Sequence, residues 1–273
     1  SGFFSLSGWG LSLNHAGKIG AAVVFGLLSA VVVCAVSRTV AYHKFLRLQN
    51  AVDDSHFILW KNRKPVQDNI VIVALDDSSI TRLGNFKRWP RRHFASVINR
   101  VNEDGARLVF FDVMLMRGGP ARENRALADT VFSAGNVIFG YYFDLYDRSM
   151  RKRPLDSVSN SRLFMKGEEP KVEHLRAYDM NLPFPELVRS ARKLGFTNCI
   201  PDPDGVVRHI PLFVGYRRSL LSAASLQMWM YLKGIRPSEA VITPYGVRFG
   251  PSFIPTDRHS FMRLNFRSSG HFH

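Results

Sequence analysis

Three aspartates are placed where their carboxylates could bind a cation or transfer protons. Asp76 and Asp77 follow the apolar run NIVIVAL, and Asp112 lies within RLVFFDVML. In open parallel sheets, ligands bind outside the carboxyl ends of the strands, where these aspartates would come together. Three carboxylates there would suit Mg²⁺ or an acid and base pair. The alternative, which the Asp-Ser cluster favours, is that they belong to a loop that caps the next helix.

The stretch PDPDGVVRHIPLF could form either the rim of a calcium site or a tight turn. An EF-hand loop that begins at Asp202 requires a glutamate at its twelfth position, where this chain has Phe213. Asp204 and Gly205 instead form a pair that accepts the positive φ angles of a two-residue hairpin turn. Because apolar runs flank this pair, the sequence predicts a hairpin between residues 196–200 and 206–214.

Other catalytic patterns are missing from the sequence. It has no glycine-rich phosphate loop, GxSxG, HExxH or paired CxxC, and its nine histidines are scattered. The two cysteines, Cys34 and Cys199, fall in a predicted apolar helix and a predicted strand, so no disulfide is expected between them. The sequence therefore predicts no enzyme active site, no metal site and no cofactor.

The N-terminal part contains a candidate membrane helix. Residues 19–37 carry no charge, and as a helix they would extend about 28 Å, close to the hydrocarbon thickness of a bilayer. Ala22, Gly26 and Ala30 recur every four residues and align small side chains on one helix face, which favours close packing with another helix. A cleavable signal peptide is the main alternative to this anchor. The sequence predicts an N-terminal segment over 1–17, a transmembrane helix over 18–40 and a juxtamembrane helix over 41–66.

Charge and composition limit the partners of the remaining chain. The 273 residues are 46% hydrophobic, enough for a substantial core, and 37 Lys and Arg against 22 acidic residues give a formal charge of +15. Such a surface attracts polyanions, including anionic lipid head groups and nucleic acid. The basic stretch KRWPRRHF could bind phosphate groups of a nucleic acid. Alternatively, its Trp-Pro pair could pack over a helix start while the arginines stay solvated. With a membrane anchor predicted, lipid is the expected partner and nucleic acid is not.

Hydrophobic patterning predicts an α/β fold. NIVIVAL, RLVFFDVML and NVIFGYYF are predicted as strands, and helices are predicted over WPRRHFASVINRVNEDGA and ENRALADTVFSAG. This alternation predicts a mixed, largely parallel sheet that is flanked by helices and connected by right-handed crossovers. The polar stretch between 144 and 181 is predicted as a surface excursion. After it we expect a helix at PELVRSARKL, a helix at SLLSAASLQMWMYLKG, and short strands at VITPYGVRFG and FMRLNFRS.

Four blocks of the chain resemble, in order, the CHASE2 domain, an extracytoplasmic sensory module of bacterial transmembrane signalling proteins. They are VIVALDDSSITRLGNFKRWPRRHFASVINRV, GARLVFFDVML, LGFTNCIPDPDGVVRHIPLF and MRLNFRSSG, and they span residues 67–273. The most specific block contains Asp204, Gly205, Arg208 and Pro211. Asp76, Asp77, Asp112 and Arg208 match the motifs of the resemblance and are therefore the candidate ligand-binding residues.

The resemblance also has implications for function and location. It implies a sensor domain outside the cytoplasm of the bacterial inner membrane, with a module that continues past His273 and then re-enters the membrane. Positive charge after the span, at Arg38, Lys44 and Arg47, favours the opposite orientation, but large domains translocate despite such charges. We expect the domain to bind a small or anionic ligand and to relay it through membrane helices. The alternative is a scaffold of an envelope assembly, joined to partners by its charge and its small-residue stripe.

Overall fold

A computed structural model describes the greater part of the chain. The chain divides into two compact units. One covers Ser1–Val66 with Asn265–His273, and the other covers Gln67–Leu264. Each unit is described by itself below. The described residues are 15–36, 48–52, 54–55, 69–116, 118–146, 158, 162–163, 174–217 and 219–265.

The described part of the first unit is mainly one helix. Helix α1, His15–Val36, has 22 residues and leaves apolar side chains such as Phe25 and Val33 exposed. Within the described residues, no helix combines the length and the apolar character needed to cross a bilayer. The predicted transmembrane span over 18–40 is therefore not supported. Of the predicted juxtamembrane helix over 41–66, only residues 48–52 and 54–55 are described, and they are helical.

The core of the second unit is built on a mixed sheet. Strand β1, Val109–Phe111, pairs in parallel with the longer β2, Val137–Asp144. Strand β4 (Asp179–Asn181) pairs antiparallel with the last three residues of β2. Strand β5 (Lys193–Phe196) pairs in parallel with Ile138 to Tyr141 of β2. The predicted mixed, largely parallel sheet is therefore confirmed for β1, β2 and β5.

Helices cover one face of this sheet. Helices α3, Arg91–Glu103, and α4, Ala121–Ala134, pack against each other and direct apolar side chains into the core. Phe94 of α3 meets Phe111 of β1 edge-on, with 5.7 Å between the ring centroids. Gly135 ends α4 in the left-handed conformation, with φ of 68°. Both helices were predicted from apolar spacing and terminal glycines, and both are confirmed.

The segment NIVIVAL does not form the predicted strand. Residues 70–76 are described without secondary structure, and their apolar side chains are exposed, Val71 by 84% and Ile72 by 69%. A short helix, α2 (Asp77–Leu83), and a 3₁₀ turn over Phe86–Arg88 follow it. The prediction failed because a buried strand must pair with a neighbouring strand. Among the described residues, this segment pairs with none.

The second half of the unit contains smaller sheets and a second core. The hairpin of β7 (Phe213–Tyr216) and β8 (Ser219–Ser222) pairs with β3 (Arg162–Leu163). Three further strands form an antiparallel meander, and β6 (His209–Pro211) pairs antiparallel with β12 (Phe261–Arg263). The remaining elements are α5 (Pro185–Ser190), α6 (Ala224–Lys233), a 3₁₀ turn (Pro237–Glu239), β9 (Ala240–Thr243), β10 (Gly246–Phe249) and β11 (Ser252–Pro255).

Two predicted elements in this half are displaced. A β-hairpin is present, but β7 and β8 form it rather than the strands predicted on either side of Asp204 and Gly205. The helix predicted over SLLSAASLQMWMYLKG begins only at Ala224, because its first four residues form β8. Much of the predicted excursion between 144 and 181 lies outside the described residues.

Candidate functional site

Asp76 and Asp77 lie at the start of helix α2. Asp76 is its N-cap, and its Oδ1 accepts hydrogen bonds from the Ser79 backbone N–H at 2.8 Å and from the Ser79 hydroxyl at 2.7 Å. These two bonds from Ser79 lower the pKa of the Asp76 carboxyl. Asp77 lies in the first helical turn and is exposed. The helix-capping interpretation is confirmed for Asp76.

Arg208 lies inside a charged cluster that closes its own loop. Its side chain is only 5% exposed, and Nη1 donates to Asp202 Oδ2 at 3.0 Å and to Asp204 Oδ1 at 2.9 Å. His209 Nδ1 lies 3.4 Å from Asp202 Oδ1. Two carboxylates are therefore neutralised in part by one buried guanidinium. The Nη1 of Arg208 is occupied by this cluster rather than open to an anionic ligand.

The turn between the two aspartates explains the D-x-D-G-x-x-R pattern. The Gly205 N–H donates to Asp202 O at 2.8 Å, and the Asp202 N–H donates to Val206 O at 2.9 Å. Gly205 has a φ of 85°, which side chains with a Cβ rarely adopt. The tight turn was predicted correctly, but it serves to bring both carboxylates to Arg208 instead of connecting two paired strands.

Asp112 occupies the edge of the sheet where a ligand would be expected. It directly follows β1, is exposed, and comes level with Gly140 of β2 when the observed register is continued by one residue. A Cβ placed on Gly140 would lie 3.3 Å from Asp112 Oδ1 and 2.9 Å from Thr197 Cγ2. Thr197 directly follows β5 on the other side of β2. Asp112 and Thr197 therefore converge over a position that only glycine leaves open.

Further polar side chains follow Gly140 and Thr197 along the chain. The Thr197 hydroxyl donates to Tyr141 O at 3.2 Å, so its remaining lone pairs can accept from a ligand. Tyr142 is 42% exposed and follows Gly140 by two residues, which puts both on the same face of β2. Asn198 accepts from the Phe143 N–H and donates to Phe143 O, which extends the pairing of β5 with β2. We call Asp112, Gly140, Tyr142 and Thr197 the sheet-end site.

Arg91 fixes the loop that leaves this site, a role that the sequence did not reveal. Its backbone N–H donates to Glu123 Oε2 at 2.8 Å, and its Nη2 donates to Met116 O at 3.1 Å. The guanidinium also lies over the Phe184 ring, 5.4 Å from the centroid. Burial lowers the pKa of Arg91, while the charge of Glu123 raises it. The prediction that the arginines after Trp-Pro stay solvated is therefore wrong for Arg91.

Trp89 packs as the same prediction expected. Its side chain is 8% exposed within the core, and its Nε1 donates to Gly84 O at 2.8 Å. Because the indole nitrogen is satisfied by the backbone and the ring is enclosed, Trp89 has a structural role at the start of α3. The sequence signal for Arg91 was its position after proline at a helix start. That position does not reveal hydrogen-bond partners that lie 25 residues or more away in sequence.

The four predicted ligand-binding residues are not brought together. Asp76 and Asp77 lie at the exposed start of α2. Asp112 directly follows β1, and Arg208 lies in the closed turn. Among the described residues, no group of three His, Cys, Asp or Glu side chains could hold a metal ion. Neither Cys34 nor Cys199 forms a disulfide, and both are exposed. Of the predicted set, Asp112 alone lies in the sheet-end site.

Gly26 lies at the centre of the small-residue stripe of α1, and its surroundings among the described residues are open. A Cβ added to Gly26 would meet no atom within 4 Å. Association through Ala22, Gly26 and Ala30 therefore stays a prediction.

Comparison with known proteins gives one match. A family model described as the CHASE2 domain matches residues 27–273. The match begins upstream of residue 67, where the sequence blocks had suggested the domain starts. No curated protein and no solved structure matches the chain.

Proposed function

The chain belongs to the CHASE2 domain family, and from this membership we propose that it binds a small ligand at the sheet-end site. CHASE2 domains are extracytoplasmic sensory modules of signalling proteins. The observation that carries the proposal is the convergence of Asp112 and Thr197 over Gly140, at the carboxyl ends of parallel strands. Open α/β sheets bind their ligands at this edge.

The chemistry of the sheet-end site indicates the class of ligand. Asp112 offers carboxylate oxygens, which only accept hydrogen bonds when ionised. The Thr197 hydroxyl already donates its hydrogen to Tyr141 O, so it too can only accept from a ligand. An anion placed here would be repelled by Asp112, whereas an amine, an amide or a polyol would donate to both residues. We therefore propose a small ligand with N–H or O–H donors, and no anion, at this site.

An anionic partner is a separate expectation that rests on net charge. The formal charge of +15 attracts lipid head groups or envelope polymers to the surface as a whole. This attraction requires no pocket, and it weakens as salt screens it. Surface attraction should therefore weaken with salt, whereas binding of an uncharged amide or polyol at the sheet-end site should not.

We propose that the domain lies outside the cytoplasm and passes its signal to membrane helices. Native Cys199 is exposed and gives a direct test of location. Intact cells that produce the Cys34→Ser variant would be treated with a membrane-impermeant thiol reagent, after the outer membrane is opened if there is one. Cys199 should be modified, and the Cys34→Ser, Cys199→Ser variant gives the background. Labelling only after lysis of the inner membrane would reject an extracytoplasmic location.

A scaffold in an envelope assembly is the second candidate function. Its support is the outer face of α4, where Phe132 is 74% exposed and Arg125, two helical turns earlier on the same face, is also exposed. Aromatic and arginine side chains are the residues most enriched at protein interfaces. If this face binds partners, Phe132→Ser should reduce self-association or complex size, measured by sedimentation equilibrium, without changing thermal stability.

A further inference from the structure

The segment over residues 70–75 is apolar and exposed. Ile70 is 79% exposed and Val73 is 57% exposed, and Ile72 and Leu75 are exposed as well. Its sequence, IVIVAL, is dominated by β-branched residues, which favour strands. Within the described chain it pairs with no strand. An extended apolar run of this kind is typical of a strand that has a place in a sheet.

Strand β1 offers an open edge within the same unit. The Val109 N–H donates to Asn136 O, on the side of β2. Successive residues of a strand direct their backbone groups to opposite edges, so the N–H and C=O of Phe110 point away from β2. Among the described residues, no strand pairs with β1 on that side. The edge is apolar and has neither the lysine nor the proline that usually protects one.

The connectivity relates this segment to this edge. The chain runs from 70–75 through α2 and α3 to β1, and from β1 through α4 to β2. Helices α3 and α4 pack against each other over one core. Right-handed crossovers with helices on the same face advance across the sheet in one direction. Since β2 lies on one side of β1, the strand that precedes α3 belongs on the other.

We propose that residues 70–75 form a docking strand that pairs in parallel with the open edge of β1, and that the structure holds it in the released state. If Leu75 aligns with Phe111, Val71, Val73 and Leu75 point towards the core, as Phe111 does. The same register puts Asp76 beside Asp112. Docking would therefore add a second carboxylate at the sheet-end site.

Docking would also connect the sheet-end site to the N-terminal residues that precede position 70. A shift of those residues along the strand would move Asp76 relative to Asp112. A ligand held by both carboxylates would in turn favour the docked state. The strand pairing does not depend on the proposed ligand, so the pairing is tested without ligand. If the pairing is absent, the proposed ligand binding at the sheet-end site is still tested separately.

The first test is a crosslink within one chain. In the full chain with Cys34→Ser and Cys199→Ser, Ala74→Cys and Phe110→Cys would be treated with a short bismaleimide, since paired strands lie about 4.8 Å apart. We expect a rapid intramolecular crosslink in the monomer. A matched control pairs Ala74→Cys with Val241→Cys, an exposed position on β9 in another sheet. Crosslinking no faster than in the control, or only between two chains, would overturn the proposal.

Proline substitutions test the direction of the hydrogen bonds. In the proposed register, Val73 and Leu75 direct their N–H groups to β1, and Ile72 and Ala74 direct theirs outwards. Val73→Pro should therefore abolish the crosslink, whereas Ile72→Pro should preserve it, because proline is tolerated where the edge N–H faces solvent. Equal effects of the two substitutions would contradict the pairing.

Hydrogen exchange gives a second measurement on the unmodified chain, in case Phe110→Cys prevents folding. Amides of Val73 and Leu75 should exchange at least about tenfold more slowly than those of a free chain, because docking protects them for part of the time. Ile72→Pro should keep this protection at Leu75, and Val73→Pro should remove it. Free-chain exchange at both amides in the unmodified protein would reject docking.

Discussion

Asp112 and Thr197, which follow strands on opposite sides of β2, converge over Gly140. A Cβ at Gly140 would lie 2.9 Å from Thr197 Cγ2 and 3.3 Å from Asp112 Oδ1. Both side chains can therefore approach β2 this closely only because position 140 is a glycine. The glycine in β2 therefore decides the geometry of a site to which β1, β2 and β5 all contribute.

Gly140→Ala should disrupt the sheet-end site. The added methyl meets Thr197 Cγ2 at less than the normal contact distance, and overpacking of this kind costs about 1 to 3 kcal/mol. We expect that loss in the free energy of unfolding, measured by urea denaturation. Thr197→Ser removes the clashing methyl and should recover much of the loss in the double variant. Additive effects of the two substitutions would contradict the described contact.

Arg208→Met should destabilise the domain far more than Asp204→Asn. The first substitution leaves two carboxylates close together without the buried guanidinium, and removing one partner of a buried ion pair costs about 3 to 5 kcal/mol. The second keeps an oxygen that can accept from Arg208 and leaves Asp202 as its charge partner. Denaturant unfolding measures both variants. A loss below 1 kcal/mol, on the order of an exposed pair, would mean that Arg208 does not hold this turn.

The start of helix α2 should loosen in acid. Hydrogen bonds from Ser79 hold the pKa of Asp76 below its ordinary value of 3.8, so the ionised carboxyl favours the folded helix. That contribution is complete above the unfolded pKa and is lost as the pH falls through the lower folded value. Amide exchange of Ser79 and Ile80 would be followed between pH 5 and 2.

Two substitutions separate the charge of Asp76 from its capping oxygen. Asp76→Asn keeps an acceptor that does not titrate and should show no acid transition in exchange at Ser79. Asp76→Ala should expose that amide at every pH, since no acceptor remains. An acid transition that persists in Asp76→Asn would assign the effect to another group.

Arg91→Gln should loosen the loop after Asp112 without unfolding the core. Arg91 Nη2 donates to Met116 O, and its Nε donates to Asn124 Oδ1. Amides of residues 113–116 should exchange faster in the variant, while those of β2 stay protected. Arg92→Gln is the matched control at a neighbouring exposed arginine. Equal exchange in both variants would show that Arg91 does not position this loop.

The parts of the fold that the sequence predicted are those in which local signals agree. Helices α3 and α4 have apolar side chains at helical spacing. Gly135 ends α4, and Gly105 follows the end of α3 by two residues. Strand β2 is a long apolar run that pairs where expected. The Asp204 and Gly205 turn shows the limit of such signals. The pair does form a turn, but Arg208 and not a partner strand decides what the turn connects.

The candidate site was predictable only in part. Asp112 was selected because it lies in a predicted apolar strand near its carboxyl end, and the interpretation of Asp76 as a helix cap is confirmed. Thr197 and Gly140 were missed, because their contact depends on the pairing of β2 with β5, which no local pattern contains. Arg91 was missed for the same reason, since its partners Glu123 and Met116 are distant in sequence.

The most direct test of ligand sensing is a thermal-shift screen of the full chain against small amines, amides, polyols and anions. We predict that at least one donor-bearing compound raises the Tm of the unmodified protein in a saturable way, because a ligand that binds the folded state stabilises it. The shift should be lost in Asp112→Ala and kept in Asp129→Ala, an exposed aspartate on α4. The absence of any shift across the screen, or an equal shift in both variants, would contradict a ligand site at Asp112.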